Sequence, residues 1–426
     1  MSMEKCYPRV LIVNGQSIYA NNATGITLRK LWQEWPKECL LEICKDENSG
    51  KLKELIDIEQ KKLPKRLIDK LIHSHISQKL NNSIKPQSKF SQKSEGMLST
   101  KQKIRQVCAI LPSWFSLRTN AFLWKKIKTF KPDVIYTLGG SVAVLKLVCK
   151  ISRKFNINTV IHFMDNWIEH NQWENNNWLK PYYSSMKKQA RKCLKRSNIA
   201  ITISPSMAKE YEKNLGIPCT VLMNMVDVKE KLSAENANND EKKFVYAGGL
   251  HLERWKALLE IAKSIKENCK NGKLYVYTNK ENKVLYEKNF VNLPVKFMPA
   301  VPHDQIEDVL KSASVLVHAE VSSTVLEGFF KHSISTKVPE YMATGRPFLF
   351  YAPKTMGVYQ YLEENKAALV VGSREELDKI VVEIDNGKDY SDIISNAFNL
   401  AKTNHSSAIG WEILRSTMLE GKIKKN

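Results

Sequence analysis

The 426-residue chain contains no run of about 18 uninterrupted apolar residues, so it offers no segment able to cross a bilayer as a single helix. Its first apolar stretch, Val10-Leu11-Ile12-Val13, ends at Asn14-Gly15 and is too short for a secretory signal. None of the eight cysteines, at 6, 39, 44, 108, 149, 193, 219 and 269, forms a C-x-x-C pair or clusters with histidine at metal-ligand spacing. They are expected to be reduced and structural, with no metal site. Acidic residues are scarce, 44 against 66 Lys and Arg, and the second half has no acidic cluster of the D-x-D type that would hold a cation. These absences point to a cytoplasmic protein.

What is present is the composition of a globular protein, 43% hydrophobic and 26% charged. The length favours two domains, each with its own core, and hence a crevice between them. The net charge of +22 implies an anionic partner, and it is concentrated. Residues 51–131 hold 19 Lys or Arg against 5 Asp or Glu, so 14 of the 22 net charges lie there.

Apolar runs ending in small residues recur along the chain, each followed by a helical pattern. Val10–Val13 leads through Asn21-Asn22-Ala23-Thr24-Gly25 into a helix with Ile26, Leu28 and Leu31. Val134–Thr137 ends at Gly139-Gly140 before a helix over 142–151; Thr159–Phe163 and Ile199–Ile203 are further strands, the latter capped by Ser204-Pro205-Ser206 before a helix over 207–215. A second series starts at Phe244–Ala247 and Gly248-Gly249, with strands at 274–277, 315–318, 348–351 and 368–371. Strands alternating with helices predict an α/β protein of two doubly wound, Rossmann-like domains, with ligand sites at the carboxyl ends of the strands. The expected layout is a first domain over 1–225, a polar linker over 226–243, a second domain over 244–405, and a C-terminal helix over 406–426 packing back on the first domain.

Residues 60–131 form a basic insertion in the first domain, with Lys61, Lys62, Lys65, Arg66 and Lys70 early and Trp114-Phe115 and Phe122-Leu123-Trp124 late. Two readings stand side by side. It is a surface that lies on an anionic bilayer, or a solvated lysine-rich excursion with a few core aromatics. Nucleic acid fits less well, because no recognition motif accompanies the charge.

Two segments can hold an anion. In Tyr246-Ala247-Gly248-Gly249-Leu250-His251-Leu252-Glu253-Arg254-Trp255-Lys256, glycines admit a phosphate to the backbone, and Arg254 or Lys256 supplies charge at a helix start. The alternative is a tight turn beside a solvated arginine. In Ser335-Thr336-Lys337-Val338-Pro339-Glu340-Tyr341, hydroxyls and a lysine precede a helix, and Glu340 can accept hydrogen bonds from vicinal ribose hydroxyls. Plain helix capping is its alternative. In the first half, Ile161-His162-Phe163-Met164-Asp165-Asn166-Trp167 ends a strand on an acid, and Asp165 is placed to orient a substrate hydroxyl. His162 is the second candidate there, with a core histidine as its alternative.

Together these segments resemble the GT-B glycosyltransferases, in particular the retaining family-four-like group of bacterial polysaccharide and lipopolysaccharide enzymes. The pattern G-x-L-x-x-x-K/R followed by S-x-S-T-K-x-x-E-Y-L-A-x-G-x-P is matched from Gly248 to Arg254 and, with Met342 in place of the leucine, from Ser333 to Pro347. Lys131–Ile135, Ile201–Met207 and Met223–Asp227 are similar to further segments of that group, so the likeness runs from about residue 8 to 371. It implies transfer of a hexose-type sugar, with retention and without a metal or other cofactor, from a nucleotide-diphosphate donor to a hydroxyl of a cell-surface glycan or lipid-linked acceptor. Gly248, Gly249, Arg254, Ser335, Thr336 and Lys337 would hold the diphosphate and Glu340 the ribose, with the base near Pro299-Ala300-Val301. Asp165 and His162 would be catalytic, and Asn22, Thr24 and Gly25 would admit the acceptor. His332 stands where many members carry an acid, with Glu320 as the expected compensation, and Gly249 stands where many carry arginine. A sugar-nucleotide 2-epimerase or a non-catalytic binding protein of the same fold is the alternative function. The basic insertion would dock the enzyme on the inner leaflet.

Overall fold

The computed structural model describes residues 6–20, 23–44, 59–62, 113–115, 117–168, 179–230, 240–302, 305–320, 328 and 330–422. Asn22 and most of the basic insertion, residues 63–112, lie outside them. The chain divides into two compact units. The first holds the described residues up to Met225 together with Ser407 onwards, and the second runs from Val226 to Ser406.

In the first unit the order is β1 (Val10–Asn14), α1 (Ala23–Trp32), β2 (Leu40–Cys44), β3 (Glu59–Lys62), α2 (Ala121–Phe130), β4 (Val134–Thr137), α3 (Val142–Phe155), β5 (Asn158–Phe163), α4 (Lys180–Leu194), β6 (Ala200–Thr202), α5 (Pro205–Leu215) and β7 (Cys219–Val221). The strands make one sheet, β3-β2-β1-β4-β5-β6-β7, parallel throughout. Every residue of β1, β2, β4 and β5 is buried, as a parallel sheet covered on both faces requires. Side chains of β1 alternate between two cores. Leu11 and Val13 join a cluster with Leu123, Leu147 and Met186, while Val10 and Ile12 join Leu28, Trp32, Leu414 and Met418.

The second of these cores includes the C-terminal helix (Ser407–Glu420), whose Trp411 Nε1 donates to the Lys30 carbonyl at 2.8 Å. Helix α2 falls inside the segment expected to be an insertion, yet its Leu123, Ile127 and Phe130 are buried. Three apolar residues on one helical face explain why 121–130 belongs to the layer. Cys149 on α3 and Cys193 on α4, with Cα atoms 5.4 Å apart, are joined as a disulfide, so the expectation of eight reduced thiols fails for this pair.

The loop from β1 to α1 is pinned from both sides. Buried Glu42 accepts from the Ile18 N–H at 2.8 Å and the Ser17 hydroxyl at 3.1 Å, while Arg29 Nη1 donates to the carbonyls of Ile18 and Ala20. Helix α1 then starts so close to this loop that a Cβ on Gly25 would lie 2.0 Å from the Ala20 carbonyl oxygen. Gly25 is thus required by backbone packing.

The second unit contains β8 (Lys242–Ala247), α6 (Arg254–Asn268), β9 (Gly272–Thr278), α7 (Lys280–Tyr286), β10 (Val295–Pro299), α8 (Ile306–Lys311), β11 (Val315–Ala319), α9 (Lys337–Met342), β12 (Phe348–Tyr351), α10 (Gly357–Glu364), β13 (Leu369–Val371), α11 (Arg374–Asp385) and α12 (Ser391–Leu400). Its six strands are again all parallel, in the order β10-β9-β8-β11-β12-β13. Strand β8 starts at Lys242, inside the expected linker, because Lys242 and Lys243 already pair with Gly272 and Lys273 while their side chains stay half-exposed.

In each sheet the strand order reverses beside the first strand, between β1 and β4 and between β8 and β11. Such switch points leave a crevice at the carboxyl ends of the strands.

Because the clash at Gly25 is with backbone, it cannot relax by a rotamer change. Gly25→Ala is expected to cost at least ~1–3 kcal/mol, measured by urea unfolding of the intact chain; unchanged stability would show that the α1 entry is not tightly packed.

Candidate functional site

At the carboxyl ends of β8, β9 and β10 in the second unit lies a cavity of about 350 Å³. Ala247, Gly248 and Gly249 form one wall, Thr278, Asn279 and Asn282 a second, Ala300 and Val301 a third, and Lys337, Glu340 and Tyr341 a fourth. Local hydrogen bonds set these walls. Buried Tyr246 donates to the Gly249 carbonyl at 2.7 Å, the Ala247 N–H donates to the Tyr341 hydroxyl at 3.2 Å, and Asn279 caps α7 by accepting from the Asn282 N–H at 2.8 Å. A Cβ on Gly248 would lie 2.5 Å from Lys337 Nζ, so the lysine ammonium reaches this cavity by crossing bare backbone.

Beside the cavity, Arg254 is committed. Its Nε and Nη2 make a forked pair with Glu320 at 2.9–3.1 Å, and both side chains are nearly buried. His318 Nε2 lies 2.8 Å from the same carboxylate, its ring stacked between Tyr246 and Phe350. Burial lowers the His318 pKa, so the neutral ring donates its Nε2 proton to Glu320. Burial by itself would raise the Glu320 pKa, but Arg254 and then His318 bring it down to about 2. Burial, with Arg254 nearby, brings the Lys337 ammonium down to about 8 against the pull of Glu320 and Glu340.

Of the residues singled out in this half, Gly248, Gly249, Lys337 and Glu340 line the cavity. Arg254 and Glu320 stand behind it as a neutralised pair rather than as a free cation and a free acid. Ser335 and Thr336 are not among the lining residues; Ser335 Oγ accepts from the Lys337 N–H and shapes the entry to α9. His332 is buried.

A second cavity, of about 280 Å³, occupies the switch point of the first unit. Asn14, Gly15 and Gln16 follow β1, Leu138 to Ser141 follow β4, and His162, Met164, Asp165 and Trp167 come from the end of β5 and beyond, with Thr24 at one side. Asp165 is exposed and His162 is 2% exposed. Burial lowers the His162 pKa to about 3, so it is neutral near pH 7 and cannot serve there as a charged acid. Its Nδ1 lies 2.8 Å from the Tyr136 hydroxyl, which burial keeps protonated. Its Nε2, like Asn14 Nδ2, is buried with no hydrogen-bond partner. Both residues line the cavity, so the cavity wall carries two buried polar atoms whose hydrogen-bonding capacity is unused. Thr24 lines this cavity and Gly25 does not. Asn22 lies outside the described residues.

Asn14, Tyr136, Asn279, Asn282 and His251 escaped the sequence-based reading as site residues. The signal available for the asparagines was position, each lying at or just after a strand's carboxyl end.

The helical face of the first unit is charged in one sense. Helices α2, α3 and α4 together carry 12 Lys or Arg and no Asp or Glu. Lys150 and Lys154 sit over the Trp124 ring, and Phe122, on the same helix as Trp124, is 62% exposed.

Residues 98–230 match the sequence profile of Glycosyltransferase Family 4. No curated protein matches the chain. Its fold is similar to that of HepE from Anabaena in complex with UDP, at 12% identity and a TM-score of 0.64 over 96% of this chain and 99% of that one. A glycosyltransferase from Rickettsia africae gives 11% and 0.60 over 96% and 97%, and sucrose-phosphate synthase from Thermosynechococcus elongatus 12% and 0.61 over 97% and 98%. At these identities the likeness is one of fold, and the fold is GT-B. Family segment and fold together support an enzyme that transfers sugars.

Removing one partner of the Arg254–Glu320 pair strands a buried charge, so Glu320→Ala is expected to cost ~3–5 kcal/mol in urea unfolding, and the double variant Arg254→Met/Glu320→Leu much less than the two single losses together. The carboxylate's contribution is present above its unfolded pKa near 4.5 and is lost as pH falls towards about 2, so the double variant should lose stability less steeply across that window. Equal slopes would contradict the assignment.

Proposed function

We propose that this chain, with a Glycosyltransferase Family 4 segment on a GT-B fold, moves a hexose-type sugar from a nucleoside-diphosphate donor to a hydroxyl of a cell-surface glycan or lipid-linked acceptor. The observation that carries the proposal is the second-unit cavity, where Gly248 and Gly249 leave backbone bare beside the Lys337 ammonium and Glu340 lines the same space. Structures of HepE hold UDP, and in one case UDP and glucose, which supports a sugar nucleotide as the ligand class.

In this reading Lys337 meets the diphosphate and Glu340 accepts from the ribose hydroxyls. Arg254 contributes by holding the loop and Glu320 in place. As the bond from sugar C1 to the diphosphate oxygen breaks, charge grows on the departing group, and Lys337 and backbone amides of the 248–253 loop stabilise it in a low-dielectric pocket. The acceptor hydroxyl oxygen forms the new bond to C1, with retention, and its proton passes to the leaving diphosphate. In the first unit, Asp165 orients a hydroxyl, while neutral His162 offers Nε2–H because Tyr136 donates to Nδ1. The reaction is assigned no metal, since Lys337 supplies the positive charge.

The acid-free helical face of α2, α3 and α4, with exposed Phe122, suits an anionic membrane surface, which supports docking near a lipid-linked acceptor on the inner leaflet.

Lys337→Ala and Glu340→Ala are expected to lower transfer by about a hundredfold or more and to abolish the thermal upshift given by sugar nucleotides, with circular dichroism unchanged. Full turnover in either folded variant would overturn the donor site. For docking, co-sedimentation with vesicles containing phosphatidylserine should exceed that with neutral vesicles and fall in Lys125→Glu/Lys128→Glu; equal binding to both lipids would remove the membrane assignment.

A further inference from the structure

The loop that follows β8 carries a titratable ring that the proposed mechanism does not use. His251 folds back on Gly249, so that a Cβ there would meet its Cε1 and Nδ1 at 2.5 Å. The same point lies 3.7 Å from Asn282 Nδ2, and both Gly249 and Asn282 line the second-unit cavity, so the imidazole, which is not itself a lining residue, stands directly behind the Gly249 wall. The charged groups facing it are Arg254 and Lys337, with Glu320 opposing them. The forked Glu320 pair already balances Arg254. An anion entering beside Gly248 and Gly249 therefore has two groups able to carry balancing positive charge, Lys337 and His251.

We propose that His251 is a ligand of the bound diphosphate and takes up a proton when the sugar nucleotide binds, making donor affinity pH-dependent. This rests on the donor-site reading above. Without ligand, burial first and then Arg254 and Lys337 lower the imidazole pKa, so the ring is neutral near pH 7. A dianionic diphosphate reverses the sign of the local field and favours imidazolium, which donates a charge-assisted hydrogen bond to a phosphate oxygen. Raising the pKa on binding means that affinity is full at low pH and is lost as pH rises through the value in the complex. Lys337, at about 8 in the free protein, adds its own uptake at higher pH.

The test is calorimetry of the full chain with UDP-glucose, ADP-glucose and GDP-mannose at about pH 6, 7 and 8.5, in buffers of differing ionisation heat. Their diphosphate diesters do not titrate in this range. For the sugar nucleotide that binds, wild type should take up protons near pH 7 and weaken by about tenfold towards pH 8.5. His251→Gln should lose the uptake near pH 7 and bind about tenfold more weakly at pH 6, retaining only the Lys337 uptake near 8. His251→Arg, a fixed cation, should restore affinity while staying flat from pH 6 to 7. Binding with the same proton uptake in His251→Gln as in wild type would overturn the proposal and leave the donor site standing. Failure of all three sugar nucleotides to bind wild type would overturn the donor site itself, and this inference with it.

Discussion

The forked, nearly buried pair of Arg254 and Glu320 is the constraint on which the second unit's site depends. It ties the first residue of α6 to the chain just beyond β11, across the point where the strand order reverses. By cancelling Arg254 it leaves Lys337 as the cation that lines the cavity. The charge at the pocket is therefore carried by a flexible ammonium crossing Gly248, not by a rigid guanidinium. His318 completes the arrangement by using its single imidazole proton on the same carboxylate.

Both units use one construction. A central strand whose last residues are buried runs into glycine, Gly15 in one and Gly248-Gly249 in the other, and polar groups from neighbouring strand ends close around it. Electrostatically the two differ. The second-unit cavity borders an ammonium, a carboxylate and a salt bridge, whereas the first-unit cavity presents neutral groups, His162 and Asn14, with exposed Asp165 as its acid. A charged group is suited to one and hydroxyls to the other.

The strands that were legible in the sequence are those built from apolar runs, such as Val10–Val13, Val134–Thr137 and Val315–His318, because burial on both faces leaves them apolar up to the Thr137 and His318 at their ends. Strand β2 was missed because Glu42 interrupts it; the carboxylate, at 0% exposure, accepts from the Ser17 hydroxyl and the Ile18 N–H, which no local pattern reveals. Strand β10 was missed because its half-exposed residues show no clear alternation. In the site, glycines and lysine stood out by type and spacing. The neutralisation of Arg254 did not, since Glu320 is 66 residues away in sequence. Nor did the lowered pKa of His162, which burial alone produces.

The C-terminal helix places Leu414 and Met418 in the core that covers one face of the first sheet. The first unit is thus discontinuous in sequence, while the described part of the second is continuous from Val226 to Ser406. During synthesis the second unit has all its strands before the first unit has all its core. Until residue 418 has left the ribosome, Val10, Ile12 and Trp32 lack part of their apolar cover. This helix therefore acts as a completion signal, and the first unit acquires its full stability only once Leu414 and Met418 have emerged to cover its sheet.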